Sequence, residues 1–230
     1  MTAWVVIPAW NEARSIGPLL DELHALPAGT LDGVVVADGG SSDGTADVAR
    51  RHGARVVNQT RRGYGAACHE GALAARQAGA EWTLFMDGDG SDPPAGVPAL
   101  LESLRAGAAD VTLGVRRSGP GRGHVIPWHA RAGNRLVCAL LRWRTGRWVS
   151  DLPSMKALST PTLTALGMSE MGYGWTTELV AKALRRGLRV RETPLQVRPR
   201  TAGRSKVSGN VGSSARAAYA LLRTAVTATR

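Results

Sequence analysis

The chain has 230 residues, 43% of them apolar, which suffices for one domain with a sizeable buried core. Its two cysteines, Cys68 and Cys138, lie far apart without a CxxC or Cys/His cluster, which argues against a disulfide framework and a zinc site and suits a reducing cytoplasm. The net charge of +11 is divided unevenly, because residues 1–110 hold 8 Lys and Arg against 14 Asp and Glu, whereas residues 111–230 hold 21 against 4.

The first predicted element is a strand over residues 4–8, within the N-terminal sequence MTAWVVIPAW. This segment has neither a basic region before its apolar residues nor a small-residue cleavage site, so we do not expect a signal peptide. Since no run approaches about 18 uninterrupted apolar residues, we do not expect a membrane-spanning helix either.

Short apolar runs alternate with helical stretches up to residue 115. Strands are predicted over residues 4–8, 33–38, 54–58, 82–87 and 110–115, and helices over residues 14–26, 44–52, 66–78 and 95–106. The alternation indicates βαβ units and hence an α/β fold with a mostly parallel sheet. Ligands bind beyond the carboxyl ends of such strands, where the loops PAWNEARS, DGGSSDGT and DGDGSDPP fall.

The second half of the chain is richer in Arg and Trp. It contains a predicted helix over residues 124–144, a short strand near 154–159, a helix near 175–187, a strand over 188–197 and a last helix over 208–228. The sequence contains neither an internal repeat nor a long linker. We therefore expect this half to pack on the same sheet, as part of one α/β domain.

Two predicted helices begin directly after the sequences NEARS and SSDGT. Their first backbone N–H groups would lie at the ligand edge of the sheet, with Ser42 or Asp43 capping the second helix. Such an edge can hold phosphate and ribose, although an ordinary capped turn has the same sequence pattern.

Three carboxylates follow the fourth predicted strand in the sequence MDGDGSDPP, namely Asp87, Asp89 and Asp92. Carboxylates separated by one glycine can turn their oxygens toward one point, where a hard cation such as Mg²⁺ or Mn²⁺ relieves their repulsion. Because Mg²⁺ typically takes one or two carboxylates and completes its shell with substrate phosphates, the pattern predicts a phosphate-bearing ligand. A solvated acidic turn is the alternative.

Six motifs occur in the order found in family-2 glycosyltransferases of the GT-A fold: PAWNE, ADGGSSDGT, RRGYGAA, MDGDGSDPP, LGVR and RPRTAGRSK. Over residues 3–207 the chain most resembles polyprenyl-phosphate sugar synthases of the dolichyl-phosphate mannose synthase kind. The resemblance implies a Rossmann-like sheet flanked by helices in a GT-A domain over residues 1–207. Its nucleotide-sugar and metal half would be residues 1–115 and its acceptor half residues 116–207, followed by an amphipathic helix over 208–230.

The activity implied by this resemblance is that of a metal-dependent inverting glycosyltransferase. It would move a hexose from a nucleotide sugar, of the GDP-mannose or UDP-glucose type, to a polyprenyl phosphate. The positions that match donor-binding residues of the family are Pro8, Trp10, Glu12, Asp38, Asp87, Gly88, Arg200, Ser205 and Lys206. The predicted metal ligands for Mg²⁺ or Mn²⁺ are Asp87, Asp89 and Ser91, and the predicted catalytic set is Asp89, Arg116, Arg131 and Glu178.

The chain departs from the family pattern at four positions. Gly39 replaces the second carboxylate of the usual DDGS motif, and Val115 replaces the serine of GSR. Ser91 stands where a stronger metal ligand is often found, and Lys156 stands where many relatives have arginine. These changes leave the reaction class intact but bear on the identity of the sugar and the acceptor.

The acceptor is expected to be a phosphate because Glu178 stands alone where hydroxyl-using relatives usually carry a Glu-Asp pair. A phosphate monoester has its second pKa near ~6 and is already an anion at neutral pH. A sugar hydroxyl needs a base, and Glu178 could be that base or the buried partner of a neighbouring arginine. A family-2 enzyme with a soluble hydroxyl acceptor therefore stays an alternative.

The basic half is expected to rest peripherally on the cytoplasmic face of an anionic membrane. Trp128, Trp143 and Trp148 lie among arginines, a mixture typical of surfaces on lipid headgroups, although tryptophans in a core have the same pattern. The C-terminal helix could lie on the membrane or dock on the domain. An alternative from another class is a non-catalytic protein that binds polyanions or membranes, whereas no nucleic-acid motif is present and no nucleic-acid partner is expected.

Overall fold

The computed structural model describes residues 2–117, 128–201 and 211–229, with side chains in the last range described from residue 218 onward. Within these ranges one sheet contains the strands β1 (Ala3–Ala9), β2 (Gly33–Asp38), β3 (Arg55–Asn58), β4 (Trp82–Phe85), β5 (Val111–Arg117), β6 (Lys156–Ser159) and β7 (Val190–Gln196). The expected α/β fold is confirmed, and both halves of the chain contribute to the same sheet.

The strand order is β3-β2-β1-β4-β6-β5-β7. Neighbouring strands run parallel except that β6 is antiparallel to both β4 and β5. The amino end of β6 therefore lies beside the carboxyl ends of its neighbours, with Lys156 opposite Phe85 of β4 and Leu113 of β5. This reversed strand joins the acidic half of the chain to the basic half.

The helices cover both faces of the sheet. They are α1 (Ala13–His24), α2 (Thr45–Arg51), α3 (Tyr64–Gln77), α4 (Val97–Arg105), α5 (Trp128–Thr145), α6 (Thr160–Leu166), α7 (Trp175–Arg185) and α8 (Val211–Thr227). Along β1 the side chains alternate, so that Val5 and Ile7 pack with α1 and α4 while Val6 packs with α3 and α7. A strand buried on both faces explains why the predicted strands are continuous apolar runs.

Helix α6 was missed in the sequence prediction. Its N-cap is Ser159, whose hydroxyl accepts a hydrogen bond from the N–H of Thr162 at 3.1 Å, and it ends at Gly167, which has a φ of 59°. A serine cap and a left-handed glycine are ordinary helix boundaries. The helix is only seven residues long and rich in threonine, so its periodicity was too short to distinguish it from a loop.

Helix α8 docks on α5 and α7. Thr224 and Ala225 are buried in this contact, and Arg144 Nε of α5 donates to Thr229 Oγ1 at 3.1 Å. The described part of α8 therefore packs on the domain as one of the two alternatives predicted. Within the described ranges, no helix combines the length and the apolar character needed to cross a bilayer.

Candidate active site

Two adjoining clefts lie at the edge of the sheet where β1, β2, β4, β5 and β7 end. The first has a volume of about 390 Å³ and the second about 330 Å³. Four residues line both clefts: Tyr64, Asp87, Tyr173 and Arg200. A ligand in one cleft would thus meet a ligand in the other at Asp87.

The three aspartates of the DGDGSD turn have different partners. Asp92 accepts the N–H of Asp87 through Oδ2 at 3.0 Å and the hydroxyl of Ser154 through Oδ1 at 2.8 Å. Asp89 accepts the N–H of Ser91 at 2.8 Å, and its other oxygen lies 2.8 Å from the guanidinium of Arg200. Asp92 therefore supports the turn, while Asp87 and Asp89 line the first cleft.

Asp87 is the carboxylate whose environment is incomplete. Its Oδ1 is buried and has no hydrogen-bond partner among the described atoms. Burial, followed by the charges of Asp92 and Asp89, raises the pKa of Asp87 to about 7. A divalent cation would supply the missing partner and offset the repulsion, so the oxygen donors of Asp87 and Asp89 fit Mg²⁺ or Mn²⁺.

Metal ligands beyond these two would have to come from elsewhere. In the described part of the chain, no three His, Cys, Asp or Glu side chains form a ready metal-binding group. Ser91 lines neither cleft among the described residues, and its N–H is bonded to Asp89. Two carboxylates with substrate phosphates as further ligands are the arrangement that Mg²⁺ commonly adopts.

The segment after β7 lies directly on the DGDGSD turn. Arg198 N–H donates to the carbonyl of Ser91 and Thr201 N–H to the carbonyl of Asp89, both at 3.0 Å. Gly90 makes this approach possible, since a Cβ on it would lie 2.3 Å from Thr201 Oγ1, and its φ is +77°. The contact brings Arg200 to Asp89, whereas the predicted residues Ser205 and Lys206 lie outside the described residues.

The far end of the first cleft is formed by the loops after β1 and β2. Pro8, Trp10 and Glu12 line it as predicted, together with Gly39. Asp38 does not line it, because its carboxylate accepts the N–H groups of Gly40 and Ser41 at 3.2 and 3.0 Å and the hydroxyl of Ser41. The carboxylate of Asp38 thus supports the turn that carries Gly39, and the nucleoside contact expected of it stays a prediction.

The N–H groups expected to bind phosphate at the start of α1 are already occupied. Those of Asn11 and Glu12 donate to Ser41 Oγ and Thr45 Oγ1, both at 2.8 Å, and that of Ala13 donates to Asp43 Oδ2 at 3.0 Å. These bonds tie the two loops together instead. Of the two alternatives that the sequence left open, the capped turn is the one seen at the start of α1, because side chains from the second loop accept these N–H groups.

The N-cap of α2 is Gly44. Asp43 stands one residue earlier and accepts the N–H of Thr45 at 3.0 Å, so its carboxylate serves both helices. Ser42 donates its N–H to Asn11 Oδ1 at 2.9 Å and takes no part in the cap. The predicted cap is therefore half right, since Asp43 stabilises the start of the helix from outside the N-cap position.

Two tyrosines that sequence analysis did not assign lie between the clefts. Tyr64 and Tyr173 each stand between two glycines, in the sequences GYG of residues 63–65 and 172–174. Burial and the charge of Asp87 raise the pKa of Tyr64 well above its usual value, so this side chain stays a neutral hydroxyl. The repeated GYG triplet was the signal available in the sequence.

The second cleft has a charged end and an apolar end. At the charged end Arg116 pairs with Asp151 through two nitrogens, at 2.8 and 2.6 Å, and Asn134 of α5 donates to the same carboxylate at 2.9 Å. Arg116, a member of the predicted catalytic set, therefore lines the second cleft. Arg131 does not line the cleft among the described residues, and its Nε is buried without a partner there.

Apolar side chains from two helices and one loop form the other end of the second cleft. They are Leu136 and Val137 of α5, Leu152, and Leu221 and Leu222 of α8. Leu136 is also 57% exposed, so the cleft is continuous with the outer surface of α5.

Glu178 lies in neither cleft among the described residues. Its carboxylate accepts the N–H and hydroxyl of Ser169 and the N–H of Glu170, and it lies 2.7 Å from Lys182 Nζ. These bonds lower the pKa of Glu178 despite its burial. Of the two roles predicted for Glu178, the geometry favours that of a buried partner, although its basic partner is Lys182 and not an arginine.

Comparison with known proteins agrees with this geometry. The model of glycosyl transferase family 2 matches residues 4–163. An uncharacterized glycosyltransferase of Mycobacterium tuberculosis is 39% identical over 210 residues, which cover 91% of each chain. An undecaprenyl-phosphate mannosyltransferase of Micrococcus luteus is 31% identical over 228 residues, covering 92% of this chain and 89% of the relative.

A solved structure shows the same architecture with ligands. Glucosyl-3-phosphoglycerate synthase from Mycobacterium tuberculosis, in complex with Mn²⁺, UDP-glucose and phosphoglyceric acid, superposes with a TM-score of 0.80 at 25% identity, covering 99% of this chain and 79% of the other. Fold, motif order and the matched family model lead to one conclusion. The chain is a glycosyltransferase of family 2 with the GT-A fold.

Proposed function

We propose that this enzyme transfers a hexose from a nucleotide sugar to a polyprenyl phosphate. The observation that carries the proposal is the second cleft, which meets the donor cleft at Asp87 and runs from Arg116 to the apolar side chains of α5 and α8. A polyprenyl phosphate matches this cleft, because it has a charged phosphate at one end and a long apolar chain behind it. In this assignment the first cleft takes the nucleotide sugar and the second takes the acceptor.

On the donor side, Trp10 and Pro8 would pack against the nucleoside, and Arg200 would contact the diphosphate. Gly88 lets the turn pack closely on β1, because a Cβ on it would lie 3.2 Å from Ile7 Cγ2. Asp87 and Asp89 would hold Mg²⁺ or Mn²⁺, and the solved relative is a complex with Mn²⁺. When bound, the cation neutralises charge that builds up on the departing diphosphate.

The displacement forms one bond and breaks one. An oxygen of the acceptor phosphate attacks the anomeric carbon of the hexose as the bond from that carbon to the diphosphate oxygen breaks, which inverts the anomeric centre and releases the nucleoside diphosphate. The acceptor dianion loses no proton and requires no protein base. This agrees with the position of Glu178, whose carboxylate is fully engaged with Ser169, Glu170 and Lys182.

The lipid part of the proposal is supported by the surface beside the second cleft. Trp128, Leu136 and Trp143 follow each other by eight and seven residues on α5, which places them on one face of the helix. All three are more than half exposed, at 74%, 57% and 76%. This chain is similar to an undecaprenyl-phosphate mannosyltransferase, whose name states the same class of acceptor, a polyprenyl phosphate.

A soluble phosphorylated acceptor is the second candidate function. Its support is the solved relative that binds phosphoglyceric acid with UDP-glucose and Mn²⁺. The charged end of the second cleft would suit such a compound, whereas the apolar end would then have no ligand group to contact.

The substitution Leu136→Asp distinguishes the two acceptors. A carboxylate at the apolar end should lower transfer to polyprenyl phosphate by about tenfold or more, since it replaces apolar contact with an unpaired charge. Transfer to 3-phosphoglycerate and the affinity for UDP with Mn²⁺ should not change. Initial rates with UDP-glucose and GDP-mannose as donors, and each acceptor in turn, measure the effect.

The matched control is Leu73→Asp, at a 38% exposed leucine of α3 that lines neither cleft among the described residues. It should leave both rates near those of the wild type. A wild-type enzyme that used 3-phosphoglycerate efficiently and polyprenyl phosphate poorly would overturn the lipid assignment and establish the second candidate.

A further inference from the structure

Lys156 is fully buried at the start of β6, beneath the junction of the two clefts. Its ammonium donates to the carbonyl of Ser154 at 2.7 Å, the carbonyl of Pro153 at 3.3 Å and Thr176 Oγ1 at 2.9 Å. The rings of Trp175, Tyr64 and Phe85 surround it, with centroids at 5.3, 5.9 and 6.0 Å. All three hydrogen bonds thus end on neutral oxygens within a largely aromatic pocket.

Fold stability alone does not account for a lysine at this position. Burying an ammonium without a directly bonded carboxylate costs free energy, which its hydrogen bonds to neutral oxygens must offset. The explanation must then lie in what the ammonium holds in place.

Its strongest bond begins a chain of contacts that ends at the metal site. Lys156 holds the carbonyl of Ser154, the hydroxyl of Ser154 donates to Asp92 Oδ1 at 2.8 Å, and Asp92 Oδ2 accepts the N–H of Asp87 at 3.0 Å. Each residue in this chain of contacts is thus held by the one before it. Asp87, the last member, carries the buried carboxylate oxygen without a partner.

We propose that Lys156 is a positioning residue, which orients Asp87 for the cation through Ser154 and Asp92. Ser154 and Thr176 also line the second cleft, so the same ammonium supports the metal carboxylate and the wall that the acceptor meets. The buried positive charge also offsets part of the repulsion among Asp87, Asp89 and Asp92 before a cation binds. The inference rests on the proposed function because that function supplies the cation. The hydrogen bonds from Lys156 to Asp87 do not depend on it.

The substitution Ser154→Ala breaks the chain at its middle with the loss of one hydroxyl. Without metal, the amide hydrogen of Asp87 should exchange faster, because Asp92 loses the bond that orients its carboxylate. With UDP present, Mn²⁺ affinity should fall by about tenfold or more, as for other groups that orient metal ligands. Residue-resolved hydrogen exchange and the electron paramagnetic resonance signal of free Mn²⁺ measure the two effects.

The matched control is Ser150→Ala, four residues earlier in the same connection. Ser150 also donates its hydroxyl to a carboxylate at 2.8 Å, that of Glu192, but outside both clefts among the described residues. It should change neither the exchange at residue 87 nor the Mn²⁺ affinity.

Lys156→Met tests the first member directly. At temperatures well below its melting temperature, the variant should bind Mn²⁺ with UDP as weakly as Ser154→Ala. A purely structural lysine would instead lower the melting temperature on substitution and leave the Mn²⁺ affinity of the folded protein unchanged. Wild-type affinity in both variants, with unchanged exchange at Asp87, overturns the inference. A wild type that binds no Mn²⁺ overturns the proposed metal site instead, and the exchange data still decide whether the chain of contacts positions Asp87.

Discussion

Three aspartates within six residues would look interchangeable by spacing, yet their partners differ. Both oxygens of Asp92 accept hydrogen bonds, from Ser154 and from the N–H of Asp87. Asp89 pairs with Arg200, whereas one oxygen of Asp87 has no partner among the described atoms. Arg200 lies 2.8 Å from the oxygen of Asp89 that does not accept the N–H of Ser91. Asp89 would thus hold the cation and also keep the guanidinium of Arg200 in the cleft where the diphosphate is proposed to bind.

Asp89→Asn is expected to abolish turnover of every nucleotide sugar. The amide is a weaker ligand than the carboxylate and no longer attracts Arg200, so both donor contacts are lost together. Since disturbing a group behind a metal ligand already costs about 10–100-fold in affinity or activity, the loss of a ligand should exceed about 100-fold. Rates at saturating Mn²⁺ and the Mn²⁺ affinity with UDP measure it.

Asp47→Asn is the control, because Asp47 is an exposed acid of α2 that pairs with Arg50 at 2.8 Å. It should behave like the wild type in both assays. Retained turnover in Asp89→Asn, with a melting temperature near that of the wild type, would refute the metal assignment of this residue.

Helix α3 enters the site through an unusually close backbone contact. Gly65 N–H donates to the carbonyl of Gly172 at 3.1 Å, and Ala66 N–H donates to that of Met171 at 3.0 Å. A Cβ on Gly65 would lie 2.3 Å from the carbonyl oxygen of Glu170. The glycines of the two GYG triplets thus allow the loop to cap the helix, and this contact sets both Tyr64 and Tyr173 between the clefts.

Gly65→Ala should therefore lower the free energy of unfolding by about 1–3 kcal/mol, the usual cost of inserting a methyl group into packed backbone. Gly133→Ala is the matched control with the opposite sign. Gly133 lies in α5 with nothing within 4 Å of an added Cβ, so alanine should stabilise the helix by about 0.5–1 kcal/mol. Urea unfolding of both variants measures the difference, and equal effects would contradict the proposed packing at Gly65.

Much of the fold could be predicted from the sequence because the first half alternates strands and helices regularly. That alternation also placed the loops after β1, β2 and β4 at one edge. The partners of single polar groups could not be predicted, because a carboxylate at a strand end can bind a ligand or its own turn, as Asp38 does. The burial of Lys156 could not be predicted either, since lysine is rarely buried and nothing in the sequence showed that β6 runs antiparallel to its neighbours.

The antiparallel strand β6 also explains how two oppositely charged halves form one site. Residues 1–110 carry a net charge of −6 and contain the carboxylates proposed to hold the metal, whereas residues 111–230 carry +17 and contain Arg116 and Arg200. Pairing of β6 with both β4 and β5 fixes the halves side by side, with the clefts along their boundary. The excess positive charge lies in the half that carries the exposed tryptophans of α5, which is the composition of a surface that binds anionic lipid.

The enzyme is accordingly expected to bind vesicles that contain phosphatidylglycerol and to bind phosphatidylcholine vesicles weakly. Each basic residue near such a surface adds about 1 kcal/mol of attraction, and salt screens it within a Debye length of about 10 Å at 0.1 M. Replacing Trp128 and Trp143 together by alanine should weaken binding by about tenfold, because two exposed aromatic side chains no longer enter the headgroup region. Sedimentation with vesicles at increasing salt measures both effects.

Trp10→Ala is the matched control for the tryptophan variant, since Trp10 is 47% exposed but lies in the donor cleft of the acidic half. It should weaken nucleotide binding and leave vesicle binding unchanged. If the α5 variant sedimented like the wild type while binding still fell with salt, arginines alone would account for the attraction and the aromatic face would have another role. Binding that neither salt nor the tryptophans affected would argue that this surface does not meet the membrane, and would favour the soluble phosphorylated acceptor.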